Sequence, residues 1–206
     1  MHATDFVHAV KMWWGRSHQP RAPTKFGRTE RRTSGSLCRT ARVPLISIWE
    51  SQPMKQSAEI SSCRLYRYEL RRVWDESKPL VLFIGLNPST ADADKDDNTS
   101  RVCVNYAMRW GFGGLLLGNL FAYRSTDQSA LYSAEDAVGP DNDAWLHRLQ
   151  SQAGLVICAW SDTGALQGRD QAVLSFLKAP HCLVKLKSGR PGHPLYKRAD
   201  LQPVPL

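Results

Sequence analysis

Asn87, Asn119 and His193 each stand just past an apolar run or a turn, in FIGLNPST, LLLGNLFAYR and GRPGHPLY. A side-chain amide offers a donor and an acceptor side by side, and an imidazole changes charge near neutral pH. Together with the cation of Arg124 and the rings of Phe121 and Tyr123, they make a polar and stacking set suited to a flat heterocycle. Asn119 in particular calls for a partner, because a buried unpaired amide costs on the order of 1 to 3 kcal/mol. Plain structural readings stand beside these. Asn87 with Pro88 is a common turn, Ser89 or Thr90 suits a helix N-cap, and His193 before Pro194 suits a surface loop.

The acids Asp92, Asp94, Asp96 and Asp97 invite a cation. An EF-hand loop needs glycine at its sixth place and glutamate at its twelfth, and those places hold Asp97 and Cys103. Magnesium held together with a substrate phosphate is the lesser reading; the greater is a solvated loop whose Asp97 or Asn98 caps the next helix. On that reading no metal is expected, and with no G-x-x-x-x-G-K-[ST] run and no G-x-G-x-x-G in the sequence no nucleotide cofactor is expected either. Five widely spaced cysteines form no C-x-x-C pair, which points to reduced thiols in a cytoplasmic protein.

The elements that must position these residues alternate. RLYRYELRRVW reads as an opening strand or hairpin, LVLFIGL as a buried strand, and TSRVCVNYAMRWG as a helix stopped by Gly111. GGLLLGNLFAY is a second core strand, and PDNDAWLHRLQSQAG is a helix capped by Asp141 or Asn142. LVICAW is a third strand, TGALQGRDQAVLSFLK a further helix, and HCLVKL a short fourth strand. This order predicts an α/β three-layer sandwich around a central, mostly parallel four-stranded sheet. In such folds ligands bind outside the carboxyl ends of the strands. The loops after the first, second and last core strands therefore share one rim, and they carry Asn87, Asn119 to Arg124, and Gly189 to Tyr196.

The net charge of +8 is unevenly spread: residues 1–53 hold nine Lys and Arg against three acids, leaving the remainder at +2. A basic footprint must then be local, and Lys185, Lys187, Arg190, Lys197 and Arg198 supply the candidate. The first 53 residues are rich in Arg, Ser, Thr, Pro and Gly without a sustained period and read as a disordered basic tail, with Met54 as the favoured start. Residues 60–206 read as a single α/β domain. No apolar run reaches the roughly 18 residues of a membrane span, so no membrane role is expected.

From about Arg64 to Tyr196, the runs YRYELRRVW, GLNPSTAD with DDNT, NLFAYRSTD, GPDND and GRPGHPLY resemble the family listed as domain of unknown function 1643. A more distant resemblance is to the uracil-DNA glycosylase superfamily. GLNPS is similar to the glycine-x-asparagine-proline-glycine loop of its mismatch-specific branch, LLLGNLFAYR to the strand of its classical branch, and HPLY to its histidine loop.

That resemblance implies a uracil-DNA glycosylase-like fold and a DNA glycosylase-like hydrolase that flips a damaged or modified base, a phage-modified one included, and cleaves its N-glycosidic bond. Asn87 and His193 would be catalytic, orienting water and stabilising the departing base. Gly85, Leu86, Pro88, Ser89, Asn119 and Phe121 would bind the base, and Arg124, Lys185, Lys187 and Arg190 would hold phosphates of duplex or single-stranded DNA. Ser89 stands where the loop's second glycine is usual, Leu195 stands where serine is common, and no aspartate base occupies the Asn87 position. Two alternatives stay open: a non-catalytic nucleic-acid or nucleotide binder on the same fold, and a nucleoside or nucleotide hydrolase. No obligate protein partner is evident.

Overall fold

Strand β3, Leu80–Gly85, is apolar on both faces, as its unbroken LVLFIG run requires of a strand covered on two sides. Val81 and Phe83 pack with Cys103, Val104 and Ala107 in one core cluster. Leu82 and Ile84 pack with Leu146, Leu149 and Val173 in another. Alternation along one strand thus makes two cores and three layers. The computed structural model describes residues 54–206, and the expectations drawn for the basic segment 1–53 lie outside the described residues.

The helices on the two faces follow in chain order. Helix α1, Asn98–Arg109, covers the first face. Helices α2, Ala130–Ser133, α3, Asn142–Gln152, and α4, Arg169–Leu174, cover the second. The other strands are β1, Lys55–Ile60, β2, Arg67–Val73, β4, Gly114–Asn119, β5, Ala153–Cys158, β6, His181–Cys182, and β7, Val204–Pro205.

The sheet has seven strands in the order β1-β2-β4-β3-β5-β6-β7, where four were expected. Its centre is parallel: β3 pairs in parallel with β4 and β5, and β5 with β6. The flanks are antiparallel, through β2 on β4, β1 on β2, and β7 on β6. The missed edges have a physical reason. KQSAEI in β1 is largely exposed and lacks apolar alternation, and β7 is two residues long.

Two further expectations are corrected. The helix expected across TGALQGRDQAVLSFLK is broken: a 3-10 segment, Asp162–Gly168, is interrupted by Gln167 at φ 54° and ends at Gly168 with φ 67° before α4 begins. The acidic loop is also less solvated than expected. The fully buried Arg72 donates from Nε to Asp96 Oδ1 at 3.1 Å and from Nη2 to the Asp92 carbonyl at 2.6 Å, which ties the loop to β2. Asp97 then caps α1, accepting the Ser100 N–H at 2.7 Å. Among the described residues no helix is long and apolar enough to cross a membrane.

The chain leaves β3 for β4 on one side and returns past β3 to β5 on the other. Loops diverging at such a reversal open a crevice at the carboxyl ends of the strands.

Candidate functional site

At the carboxyl end of β4, Asn119 is 2% exposed, and its Nδ2 finds no protein partner. Its register mate on β3 is Gly85. A Cβ added to Gly85 would lie 2.9 Å from Asn119 Oδ1, so glycine is needed there for the amide to lie against the neighbouring strand. The strand end itself is held by Asn142 at the start of α3, whose buried amide donates to the carbonyls of Asn119 and Leu120 at 3.1 and 2.8 Å.

Asn87 lies two residues beyond β3. Its Nδ2 donates to the Ser125 carbonyl at 2.8 Å and to the Pro88 carbonyl at 3.2 Å. Both of those groups are acceptors, which fixes the amide orientation and leaves Oδ1 as the atom able to accept from water or ligand. The same loop is fastened by Ser125 N–H donating to the Pro88 carbonyl at 3.0 Å. The turn therefore does more than start a helix.

His193 arrives on a hairpin that follows β6. Gly192 N–H donates to Val184 and Leu186 N–H to Arg190, and Gly189 at φ 83° makes the tip. Two side-chain ties hold this hairpin to the 3-10 segment and α4. Ser188 Oγ donates to Asp162, and Arg190 Nε donates to the buried carboxylate of Asp170 at 2.8 Å. His193 N–H donates to Ser161 Oγ at 3.1 Å, and Ser161 holds a left-handed φ of 62°. Leu195 N–H donates to His193 Nδ1 at 3.2 Å. A ring nitrogen that accepts carries no proton, so the proton sits on Nε2. Burial pushes the His193 pKa below its ordinary 6.5, with Asp97 raising it again and Lys197 lowering it further. The imidazole is thus set as a neutral N–H donor.

These parts line one cavity of about 460 Å3, within the size range of small-molecule sites. Gly85, Leu86, Asn87 and Ser89 come from the loop after β3, Asn119 from β4, Trp160 and Ser161 from the loop after β5, and His193 from the hairpin. Asp97 is the one carboxylate among the lining residues.

Among the cavity residues that escaped the sequence reading, two are buried and carry unpartnered donors. Trp160 is 1% exposed and its Nε1 has no protein partner. Arg67 is 2% exposed, donates from Nη1 to the Ala91 carbonyl at 2.7 Å, and leaves Nε without a partner. A period of two places Arg67 on the face of Glu69 and Arg71, away from Leu70 and Arg72. A bulge undoes that count. Glu59 pairs with Glu69 but Ile60 pairs with Arg67, so Tyr68 is the extra residue, and Arg67 turns to the cavity alongside Leu70.

Other expected site residues lie elsewhere. Phe121 is 0% exposed within the core, so its ring has no free face for stacking. Pro88 is buried and contributes its carbonyl to Asn87, without lining the cavity. Arg124 donates from Nη1 to the Arg64 carbonyl at 3.3 Å. Arg190 is tied to Asp170, which makes it a brace for the histidine hairpin in place of a free phosphate ligand. Lys185 and Lys187 are exposed on that hairpin and do not line the cavity.

The fold is α/β, with a cavity at the carboxyl ends of a parallel strand set, where folds of this kind place ligands. Residues 67–195 match the family described as Protein of unknown function (DUF1643), and the chain belongs to that family. Comparison with curated proteins and with solved structures finds no match.

Proposed function

We propose that the protein is a DNA glycosylase-like hydrolase that takes a damaged or modified base, flipped from DNA, into this cavity and cleaves its bond to the sugar. The observation that carries the reading is the meeting of Asn87, Asn119 and His193 around one cavity of about 460 Å3, each held by a different strand end. As the bond breaks, the electron pair leaves with the base and positive charge spreads over the sugar. Donors at Asn119 Nδ2 and His193 Nε2 act on the charge that develops on the base, where preorganised donors count most. A neutral imidazole suits this role, since it donates a hydrogen bond without surrendering a full proton.

Water is held by Asn87 Oδ1 as acceptor. Asparagine takes no proton at neutral pH, so the water's proton goes to Asp97, the carboxylate lining the same cavity. Flipping supplies the access, because the target bond of a stacked base is out of reach inside a duplex. The tie between Arg190 and Asp170 removes one expected phosphate contact, and this favours hydrolysis of free nucleosides or nucleotides as the second reading.

The test is incubation of the full chain with duplex and single-stranded DNAs carrying diverse modified bases, followed by assay for abasic sites and mass spectrometry of released bases. Release is expected from some member, and Asn87→Ala or His193→Ala should lower it at least about 100-fold. Turnover of mononucleotides alone moves the assignment to the second reading. No release from DNA and no turnover of nucleotides refutes both.

A further inference from the structure

Arg67 is a buried guanidinium without an ion-pair partner: no carboxylate among the described residues lies within salt-bridge distance of it. The contrast with its neighbour on the same strand is direct, since the equally buried Arg72 is paired with Asp96 at 3.0 Å. Burying a charge without compensation is costly, and proteins avoid it unless a partner arrives from elsewhere. Burial pushes the Arg67 pKa down to about 10, which still leaves it charged at neutral pH. Two other donors of cavity-lining side chains, Asn119 Nδ2 and Trp160 Nε1, also lack protein partners. Buried donors are nearly always satisfied, so unpartnered donors on three residues of one cavity lining fit an acceptor-bearing ligand there.

The opposing charges are unequal to that cation. Asp97 lines the same cavity, but one of its oxygens is committed to the Ser100 N–H, and Lys197 lines the cavity as a second cation. His193 contributes no charge when neutral. The cavity therefore retains a positive centre at Arg67, whose Nε has no protein partner.

We infer that the occupant of the cavity carries an anionic oxygen group, a carboxylate on the ring or a phosphate on its sugar, seated against Arg67 with Asn119 and Trp160 as flanking donors. The identity of the ring as a flipped nucleobase rests on the glycosylase reading; the anion subsite rests on Arg67 and the unpartnered donors beside it. Arg67 is a specificity residue in this account, and Asn87 and His193 keep their roles.

The experiment measures binding of free ligands to the intact chain by calorimetry at one fixed salt concentration. The probes are uracil, uracil-5-carboxylate, orotate, uridine and uridine 5′-monophosphate. Either a carboxylated base or the mononucleotide is expected to bind at least about tenfold more tightly than its uncharged parent, with Arg67→Met removing that preference, in keeping with a charge-assisted hydrogen bond. Trp160→Phe removes a single N–H while keeping an aromatic ring in the core, and should weaken the same ligand about threefold to tenfold. That variant keeps the proposal testable if Arg67→Met fails to fold.

Preference for the carboxylated bases supports an anionic nucleobase, and preference for the mononucleotide supports a phosphate-bearing occupant. Equal binding of charged and uncharged members, or binding of none, overturns the anion subsite. Release of uncharged bases from DNA that needs Asn87 but is indifferent to Arg67→Met would overturn this inference while leaving the glycosylase reading standing.

Discussion

The Leu195 N–H donates to His193 Nδ1 at 3.2 Å, and this single bond decides which nitrogen of the neutral imidazole carries the proton. The proton is left on Nε2, and burial keeps the ring neutral below its ordinary 6.5. A linkage follows with a definite sign. The unfolded chain takes up a proton near pH 6.5 while the folded chain does not until lower pH, so stability rises with pH through that window and is lost as pH falls. Activity or ligand binding should be flat above about pH 6.5 and decline below it. His193→Gln should flatten the acid-side loss of stability. Nitrogen-15 spectra of the imidazole report both tautomer and titration; a ring protonated on Nδ1, or one titrating above 6.5, contradicts the assignment. Asp97→Asn should lower the titration point further, since Asp97 now raises it.

Gly85 and Asn119 make the second prediction. A methyl at Gly85 would fall 2.9 Å from Asn119 Oδ1, closer than ordinary packing allows. Gly85→Ala should displace the amide, cost about 1 to 3 kcal/mol in urea unfolding, and lower ligand affinity more than this loss of stability explains. Asn119→Ala should reproduce the binding defect. Unchanged binding in Gly85→Ala would mean that the amide position is immaterial.

At Asn87 charge and geometry compete. Asn87→Asp supplies a carboxylate where water activation is proposed, yet it loses both N–H donors and sets an anion against the carbonyls of Ser125 and Pro88. We expect Asn87→Asp to be destabilised by about 1 to 3 kcal/mol and to be no more active than wild type. Asn87→Ala should cost about 1 kcal/mol, a thermal shift of only a few degrees. A gain of activity in Asn87→Asp would show that the loop tolerates the charge and that a base is what the site lacks.

Much of this architecture was legible in the sequence, for physical reasons that differ by element. LVLFIG and GLLLGN read as strands because burial on both faces demands unbroken apolar runs, and the rule placing ligands at carboxyl ends then brought Asn87, Asn119 and His193 together. Arg67 was invisible for the opposite reason. Its position depends on one extra residue at Tyr68, and a bulge leaves no trace in a count of alternate residues. Phe121 was misplaced because a ring just beyond a strand end reads equally well as core or as platform. Arg190 looked like a phosphate ligand because sequence gives its charge and conceals Asp170, which lies twenty residues away in the chain and 2.8 Å away in space.

Arg190 and Asp170 carry the last prediction, which separates bracing from DNA binding. The Asp170 carboxylate is 1% exposed, and Arg190 is the ion-pair partner that joins it to the histidine hairpin. Removing the arginine leaves that anion without its ion-pair partner, and because Arg190 is itself part-exposed the loss is about 1 to 3 kcal/mol. It also frees the hairpin that delivers His193, so Arg190→Ala should lose stability and activity together. Arg190→Ala combined with Asp170→Asn should recover part of the stability, because the stranded charge has gone, and a double-mutant cycle in denaturant measures the coupling. Lys187→Ala, at the exposed tip of the same hairpin, should leave stability within about 0.5 kcal/mol. If Lys187 meets a DNA phosphate, its removal should weaken DNA binding and reduce the salt slope by about one, whereas Arg190→Ala acts through the fold. A stable Arg190→Ala whose salt slope falls in that way would restore Arg190 as a phosphate ligand and set the bracing role aside.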